Sequence, residues 1–226
     1  MIADTVRTGA YARALREAIK PSSVVLDIGS GTGVFSLLAC QYGARRVYAI
    51  EPSDAITIAQ AHAQANGCAD RIQFIHDLST KVTLPERVDV LVSDIRGILP
   101  FHKNHLPSIV DARKRFLRPG GTQIPLLDKL WAAPVDAPAD YARLVLGHHP
   151  NALGLNMEAA LRTATNNMYK VRLKPEHLLA GSQCWMTLDY TKVETSNCGA
   201  TLTWIAPRSG TCQGIVAWFE TLLAEG

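Results

Sequence analysis

The sequence of 226 residues predicts an α/β protein, in which a doubly wound parallel sheet is followed by a mainly β part. Residues 24–51 read as strand, glycine turn, helix, strand and acid, which is half of a nucleotide-binding α/β sheet. Apolar, β-branched runs at 71–75 and 88–93 extend the same pattern. Near Asp128 the composition shifts toward Trp, Thr and Pro, with shorter apolar runs.

The turn after the first strand carries Gly29, Gly31 and Gly33, with one residue between each. A dinucleotide-binding turn closes its G-x-G-x-x-G pattern with Gly or Ala, whereas that position here is the branched Val34. The spacing therefore argues against a bound pyrophosphate and against NAD.

Two carboxylates indicate the nucleoside that would bind instead. Asp27 precedes the first glycine by two residues, where it would repel a pyrophosphate but suits a cation. Glu51 ends the second strand, where a carboxylate can accept hydrogen bonds from both ribose hydroxyls. S-adenosylmethionine has a ribose, a sulfonium and an ammonium but no phosphate, so we predict it as the cofactor. A glycine turn beside a buried capping Asp is the alternative.

The first helix, predicted over 3–19 and ended by Pro21, carries Arg7 on its first turns. A fork-shaped guanidinium suits the carboxylate in the methionine part of the ligand. From the helix alone, a solvated charge is the preferred interpretation of Arg7.

In a doubly wound sheet the ligand lies across the carboxyl ends of the strands. We therefore assign to the cofactor site Pro52, Ser93 and the pair Asp77 and Leu78, of which the last two could bind the adenine edge. A simple turn residue is the alternative for Asp77. Asp94 closes the fourth strand at the reactive end of the ligand, so it is the candidate catalytic residue.

Composition argues against several other classes of protein. The net charge of +3 is too mild to indicate nucleic acid as a partner. Five scattered cysteines without a C-x-x-C pair fit the reduced thiols of a cytoplasmic protein, and we expect neither a disulfide framework nor a metal site. No apolar run reaches membrane-spanning length, so we expect no membrane partner.

The later elements have weaker patterns. A turn is predicted at 119–121, after which residues 122–125 lead into a fifth strand. Beyond it, the sequence predicts a helical insert at 156–166 and β-strands at 130–135, 184–190, 200–206 and 214–220. We therefore expect a cofactor-binding domain over 1–126 and a mainly β domain over 127–226.

Taken together, these motifs resemble the protein arginine methyltransferases, most closely a bacterial branch of proteins similar to them. The matching segments are residues 4–8 with Tyr11, VVLDIGSGTG at 24–33, 43–47 with 50–51, VDVLVSD at 88–94 with 96–97, 118–121 with 124–125, and 214–220. The resemblance covers most of the chain. It implies a Rossmann-like methyltransferase fold followed by a β-barrel, and it implies that Arg7 holds the methionine carboxylate.

The chain departs from the family on the acceptor side. The family clamps a guanidinium with two glutamates of its substrate loop, whereas the matching positions here are Asp94 and Lys103. The family's tyrosine-rich first helix and its threonine-histidine-tryptophan loop fall outside the sequence, so we expect both ends to be truncated. We therefore expect this chain not to methylate peptidyl arginine at a rate typical of the family.

The expected mechanism is in-line methyl transfer to a nitrogen or oxygen nucleophile that Asp94 orients or deprotonates. His102 and His105 are secondary candidates. Because Glu51 would serve the ribose, its replacement is expected to weaken cofactor binding with little change in the melting temperature of the ligand-free chain. Methylation of a small metabolite, and cofactor binding without turnover, are the alternatives. The family commonly forms dimers, so a homodimer is a further expectation.

Overall fold

A computed structural model describes residues 3–101, 104–146, 154–195 and 197–225, and its first half forms a five-stranded sheet. The strands are β1 (Val24–Ile28), β2 (Arg46–Ile50), β3 (Ile72–Ile75), β4 (Val88–Ser93) and β5 (Leu117–Ile124). Their order is β3-β2-β1-β4-β5, and every neighbouring pair is parallel. The predicted doubly wound sheet is confirmed.

Helices connect and cover these strands: α1 (Thr5–Ala18), α2 (Val34–Gln41), α3 (Ala55–Ala65) and α4 (His105–Arg115). The first begins later than predicted because Asp4 caps it, accepting a hydrogen bond from the Arg7 amide at 3.0 Å. Tyr11 and Leu15 of α1 are buried in the core formed with the sheet. Among the helices that the structure describes, none combines the length and apolar character needed to cross a membrane.

The strand register aligns the carboxyl ends of four strands. Ile28 pairs with Ile50 of β2 and with Ser93 of β4, and Ile50 pairs with Ile75 of β3. The strand order reverses between β1 and β4, and ligands bind at such a switch point in open α/β sheets. The residues that directly follow the four strands therefore meet at one edge: Gly29, Glu51, His76 and Asp94.

The turn predicted at 119–121 is wrong, because these residues lie inside β5. Val88 pairs with Leu117, whereas Val90 pairs with Thr122, so β5 carries extra residues in a bulge. A Cβ at Gly121 would lie 3.0 Å from a backbone oxygen of β4. The glycine thus permits the bulge to stay against its neighbouring strand.

The second sheet has three strands in the order β7-β6-β8, with β6 at Leu127–Val135, β7 at Gln183–Asp189 and β8 at Gly214–Leu222. Between β6 and β7 lie α5 (Pro138–Tyr141), which continues as a π-helical turn over Ala142–Leu146, and α6 (Glu158–Thr165). The mainly β character predicted for this part is confirmed.

The strand predicted at 200–206 is absent from these described residues. Side chains hold the segment instead: Gln183 Nε2 donates to the Thr203 carbonyl at 2.8 Å, and Trp204 Nε1 donates to the Gly181 carbonyl at 3.1 Å. The alternating pattern of a strand is therefore present without a backbone ladder.

The chain packs as two compact units. The first contains the described residues of 1–129, 187–198 and 220–226, and the second contains those of 130–186 and 199–219. Two returning segments are tied to Leu126, whose amide donates to the Leu222 carbonyl at 3.0 Å and whose carbonyl accepts from the Tyr190 amide at 2.9 Å. Residues distant in sequence therefore contribute to the first unit.

Candidate cofactor and acceptor site

The glycine turn after β1 uses backbone conformations that favour glycine, with φ values of +70° at Gly29, +53° at Gly31 and +87° at Gly33. A Cβ at Gly29 would collide with the Ile95 side chain, and one at Gly33 would lie 2.9 Å from the Cβ of Ala59. A Cβ at Gly31 would meet no described atom within 4 Å. The turn is therefore packed at its two ends and open at its centre, where a ligand can approach the backbone.

Glu51 supports this turn from the end of β2. Its Oε2 accepts a hydrogen bond from the Gly31 amide, and its Oε1 accepts one from the Ser53 amide, both at 2.9 Å. An ionised carboxylate offers about four lone-pair positions, so each oxygen retains one for a ribose hydroxyl. Glu51 is thus suited to the predicted ribose contact, but it also organises the loop.

Asp27 is a buried carboxyl at the end of β1. Its Oδ2 accepts a hydrogen bond from the Ser36 hydroxyl at 2.7 Å, whereas its Oδ1 has no hydrogen-bond partner among the described residues. Burial raises the pKa of Asp27 to about 7, against the hydrogen bonds from Ser36, and the nearby Glu51 and Asp94 raise it further. A positively charged ligand beside Asp27 would oppose this shift.

The end of β3 forms a tight turn. Asp77 Oδ1 accepts a hydrogen bond from the Leu78 amide at 2.7 Å, and the carbonyl of Pro52 lies 3.2 Å from His76 Nε2. The two groups predicted to bind adenine therefore bind each other, as the turn interpretation of Asp77 expects. Their contact with adenine stays a prediction.

Ser93, the last residue of β4, contributes through its backbone. The Tyr11 hydroxyl donates to the Ser93 carbonyl at 3.2 Å, and the Tyr11 ring stacks on Phe35 with 4.5 Å between ring centroids. The Ser93 side chain is fully buried, and its hydroxyl has no hydrogen-bond partner among the described residues. Tyr11 thereby fixes the first helix to the carboxyl end of β4.

Asp94 and Arg7, which the sequence assigned to different tasks, form an ion pair between Oδ2 and Nη2. The Asp94 side chain is 1% exposed and that of Arg7 is 39% exposed. Ile95 follows Asp94 and packs against Gly29, which places Asp94 beside the glycine turn. The candidate catalytic carboxylate and the candidate cofactor anchor are therefore brought together.

Arg96 is a buried guanidinium next to Asp94. Its Nη1 donates to Asp128 Oδ1 at 2.8 Å and to Thr221 Oγ1 at 2.5 Å, and its Nη2 donates to the Tyr11 hydroxyl at 2.8 Å and to Asp94 Oδ1 at 3.1 Å. Burial disfavours the Arg96 cation, but the neighbouring Tyr11, Asp128 and Asp94 outweigh it, so the pKa of Arg96 lies above its ordinary value. The guanidinium is therefore permanently charged.

A chain of hydrogen bonds continues from Asp128. The Tyr190 hydroxyl donates to Asp128 Oδ2 at 2.6 Å, and His105 Nε2 lies 3.1 Å from the same hydroxyl. The Tyr190 hydroxyl donates its single hydrogen to Asp128, so it can only accept in its contact with His105. We therefore infer that His105 Nε2 carries a hydrogen and donates it to Tyr190. Burial, followed by Arg96, lowers the pKa of His105 to about 3, so the ring is neutral at ordinary pH.

Arg96, Asp128 and Tyr190 take part in the site, although no motif of the sequence indicates their roles. The signal for Arg96 was a lone charge in the apolar stretch that follows β4, but Asp128 and Tyr190 belong to segments that no local pattern connects. His102 and Lys103 lie outside the described residues. Within the described part of the chain, no cluster of three or more His, Cys, Asp or Glu side chains could hold a metal ion.

Comparison with known families and curated proteins adds to this geometry. A family described as a methyltransferase domain matches residues 25–121. Protein arginine N-methyltransferase 6 of Xenopus tropicalis is 30% identical over 231 residues, which cover 97% of this chain and 68% of that protein. Protein arginine N-methyltransferase 6 of Danio rerio is 41% identical over 138 residues, covering 60% of this chain and 40% of that protein.

Solved structures have the same fold. A Trypanosoma brucei PRMT1 enzyme-prozyme heterotetrameric complex with AdoHcy has a TM-score of 0.79 at 22% identity, covering 87% of this chain and 62% of that one. Arabidopsis thaliana protein arginine methyltransferase 10 has a TM-score of 0.73 at 24% identity, with coverages of 87% and 63%. The chain spans only about two-fifths of the first curated relatives that it matches, 38% and 40%.

Proposed function

The chain belongs to the protein arginine N-methyltransferase family, and we propose that it transfers a methyl group from S-adenosylmethionine to a nitrogen or oxygen nucleophile. The observation that carries the proposal is the buried Asp27 carboxyl, whose Oδ1 has no hydrogen-bond partner among the described residues. A ligand with a sulfonium and an ammonium would supply a positive charge next to this carboxylate. A pyrophosphate would add negative charge to the same region.

The residues of the site suit the other parts of this cofactor. The free space over Gly31 lets a ligand approach the backbone, and Glu51 keeps acceptor positions for a ribose diol. Arg7, whose side chain is partly exposed, has a guanidinium that suits the carboxylate of the methionine part. These groups lie around the switch point of the sheet, where ligands bind in this fold class.

The chain's own contribution to transfer is positioning. When bound, S-adenosylmethionine would supply an activated methyl group, and the electron pair of the broken carbon–sulfur bond would stay on sulfur. Arg7 turns from Asp94 to the ligand carboxylate, which leaves Asp94 Oδ2 available to the nucleophile. Asp94 accepts the proton that the nucleophile releases and passes it to solvent.

We also propose an oligomeric state and a cellular compartment for the chain. Because the family that the chain resembles commonly forms dimers, we propose a homodimer, to which the apolar side chains of Leu155, Met157 and Met168, exposed beside α6, are available. Light scattering of the purified chain distinguishes a homodimer from a monomer. All five cysteines are free, which supports a reducing, cytoplasmic environment.

Two measurements test the proposed activity. Calorimetry should detect binding of S-adenosylhomocysteine and none of NAD, and the opposite result would overturn the cofactor assignment. Incubation with methyl-labelled S-adenosylmethionine and host lysate, followed by separation of protein from small molecules, should then transfer label to one fraction. Label in the small-molecule fraction would favour a metabolite methyltransferase. Cofactor binding with no transfer to either fraction would favour a binding protein without turnover.

A further inference from the structure

We propose that Arg96 is a specificity-determining residue, which reserves the acceptor side of the site for an uncharged nitrogen or oxygen nucleophile and excludes guanidinium acceptors. The inference rests on the proposed function, because it concerns the group that receives the methyl. It is carried by the hydrogen-bond network that surrounds Arg96 within the first unit.

The network uses every hydrogen on the two terminal nitrogens of Arg96. Nη1 donates to Asp128 and Thr221, and Nη2 donates to Tyr11 and Asp94. Each terminal nitrogen of a guanidinium carries two hydrogens, so these four contacts commit all of them. A guanidinium thus already occupies the position beside Asp94 Oδ1, and it belongs to the chain itself.

The charges of this network are balanced. Asp94 and Asp128 are negative, and Arg96 and Arg7 are positive and paired with them. When Arg7 moves to the cofactor carboxylate, Asp94 Oδ2 is left without its partner, but a cationic guanidinium that approached it would also meet the positive charge of Arg96 on the same carboxylate. An anionic acceptor would find the terminal hydrogens of Arg96 already used. An uncharged nucleophile needs neither a negative counter-charge nor the hydrogens of Arg96.

Arg96 is held in this position. Its residue is 2% exposed and that of Asp128 is fully buried. Withdrawal of Arg96 would leave the Asp128 carboxylate buried without its positive partner, and breaking such a pair strongly destabilises a protein. Tyr190 and His105 hold the other side of Asp128. An incoming guanidinium therefore cannot displace Arg96 at low cost.

One atom of the pair remains available to an acceptor. Asp94 Oδ2 is held by Arg7, which is the exposed partner of the network. Once Arg7 binds the cofactor carboxylate, Asp94 Oδ2 can accept one hydrogen from the nucleophile. As the methyl carbon bonds to the nucleophile, that hydrogen leaves as a proton to Asp94 and then to solvent. A single free oxygen matches one N–H or O–H donor, not a two-pronged guanidinium.

The test compares arginine recognition before and after the network is removed. The double variant Arg96→Met/Asp128→Asn removes one positive and one negative charge, and the Asn amide keeps partners for Tyr190 and Thr221. The matched control is Arg143→Met/Asp140→Asn, an ion pair of 2.7 Å with an exposed arginine in the second unit. The probes are a short arginine peptide and the same peptide with uncharged citrulline in place of arginine.

Calorimetry in saturating S-adenosylhomocysteine should show that the parent chain binds the arginine peptide no more tightly than the citrulline peptide. The control variant should behave in the same way. The double variant should bind the arginine peptide at least about tenfold more tightly than the parent does, which corresponds to about 1.4 kcal/mol. A parent chain that prefers the arginine peptide, or a folded double variant that gains nothing, would overturn the inference.

A second measurement uses only the parent chain, so it tests the inference even if the double variant does not fold. Proteins and small molecules labelled by the parent chain in lysate are hydrolysed, and the labelled products are separated. The inference expects label in products other than methylarginines, and methylarginine as the main product overturns it. If the parent chain does not bind S-adenosylhomocysteine, the proposed function itself fails. If it binds and methylates arginine, only this inference fails.

Discussion

The Glu51 carboxylate binds the backbone of the glycine turn, with 2.9 Å between its Oε2 and the amide nitrogen of Gly31, which lies 20 residues earlier. Together with the bond from the Ser53 amide, this contact gives Glu51 a structural task in addition to the predicted ribose contact. These two contacts lead us to expect a measurable loss of stability in the ligand-free chain, in place of the little change in melting temperature that the sequence suggested.

Glu51→Ala should lower both stability and affinity. Two backbone amides lose a charged acceptor, so the free energy of unfolding should fall by about 1–3 kcal/mol. Affinity for S-adenosylhomocysteine should fall roughly tenfold to a hundredfold. Urea unfolding and calorimetry measure the two effects. Glu86→Ala, which removes a carboxylate bound to Arg45 and Tyr48, is the control and should leave affinity unchanged. Parent-like affinity in Glu51→Ala would contradict the assigned ligand position.

Asp27→Asn should change how stability depends on pH. The folded-state pKa of Asp27, about 7, exceeds that of an unfolded carboxyl, so the folded chain holds the proton more tightly. This contribution is complete below about pH 4 and is lost as pH rises through 7, amounting to on the order of 4 kcal/mol. Urea unfolding between pH 4 and 8 should show the stability of the parent, measured relative to that of Asp27→Asn, falling by about this amount as pH rises. Asp54→Asn, at an exposed position, is the control, and an unchanged profile in Asp27→Asn would refute the assignment.

His105→Gln should change the pH dependence in the opposite direction. The folded-state pKa of His105, about 3, lies below that of an unfolded histidine, so the unfolded chain binds the proton more tightly. Stability is therefore lost as pH falls below about 6.5, by roughly 2 kcal/mol at pH 5.

Gln retains a donor toward Tyr190 without a titrating ring, so this acid loss should disappear in the His105 variant. Because Asp27 acts in the opposite direction over the same range, the parent profile between pH 5 and 6.5 should be nearly flat. The two single variants should then diverge, the Asp27 variant losing stability toward acid and the His105 variant gaining it. Parallel profiles in both variants would be inconsistent with these two groups.

Arg7→Ala should weaken cofactor binding more than it weakens the fold. A charged hydrogen bond to the ligand carboxylate contributes about 1.5–3 kcal/mol, so affinity for S-adenosylhomocysteine should fall on the order of tenfold or more. The loss of stability should be small, because the Arg7 side chain is partly exposed. Arg13→Ala, on the exposed side of the same helix, should bind like the parent. Equal affinity in the two variants would remove Arg7 from the cofactor site.

Local sequence patterns were enough to predict the sheet, the glycine turn and the identity of the strand-end residues. Those features depend on local patterns: an apolar run of about strand length, glycines where φ is positive, and an acid directly after a strand. Because parallel strands in register bring their ends to one edge, the positions of Asp27, Glu51 and Asp94 followed from order alone. The bulge at 119–121 did not, since proline and glycines favour a turn and a bulge alike.

The construction of the acceptor side depends on contacts between distant segments, which no local pattern contains. Arg96, Asp128 and Tyr190 come from three separate segments, and nothing in any one segment indicates that a carboxylate, a guanidinium and a phenol will meet. Their meeting depends on the returning segments at 187–198 and 220–226, which pack with the first unit. Burial then determines which of their atoms can bind a substrate. A buried charge must be paired within the protein, and an atom that is paired there is not available to a substrate.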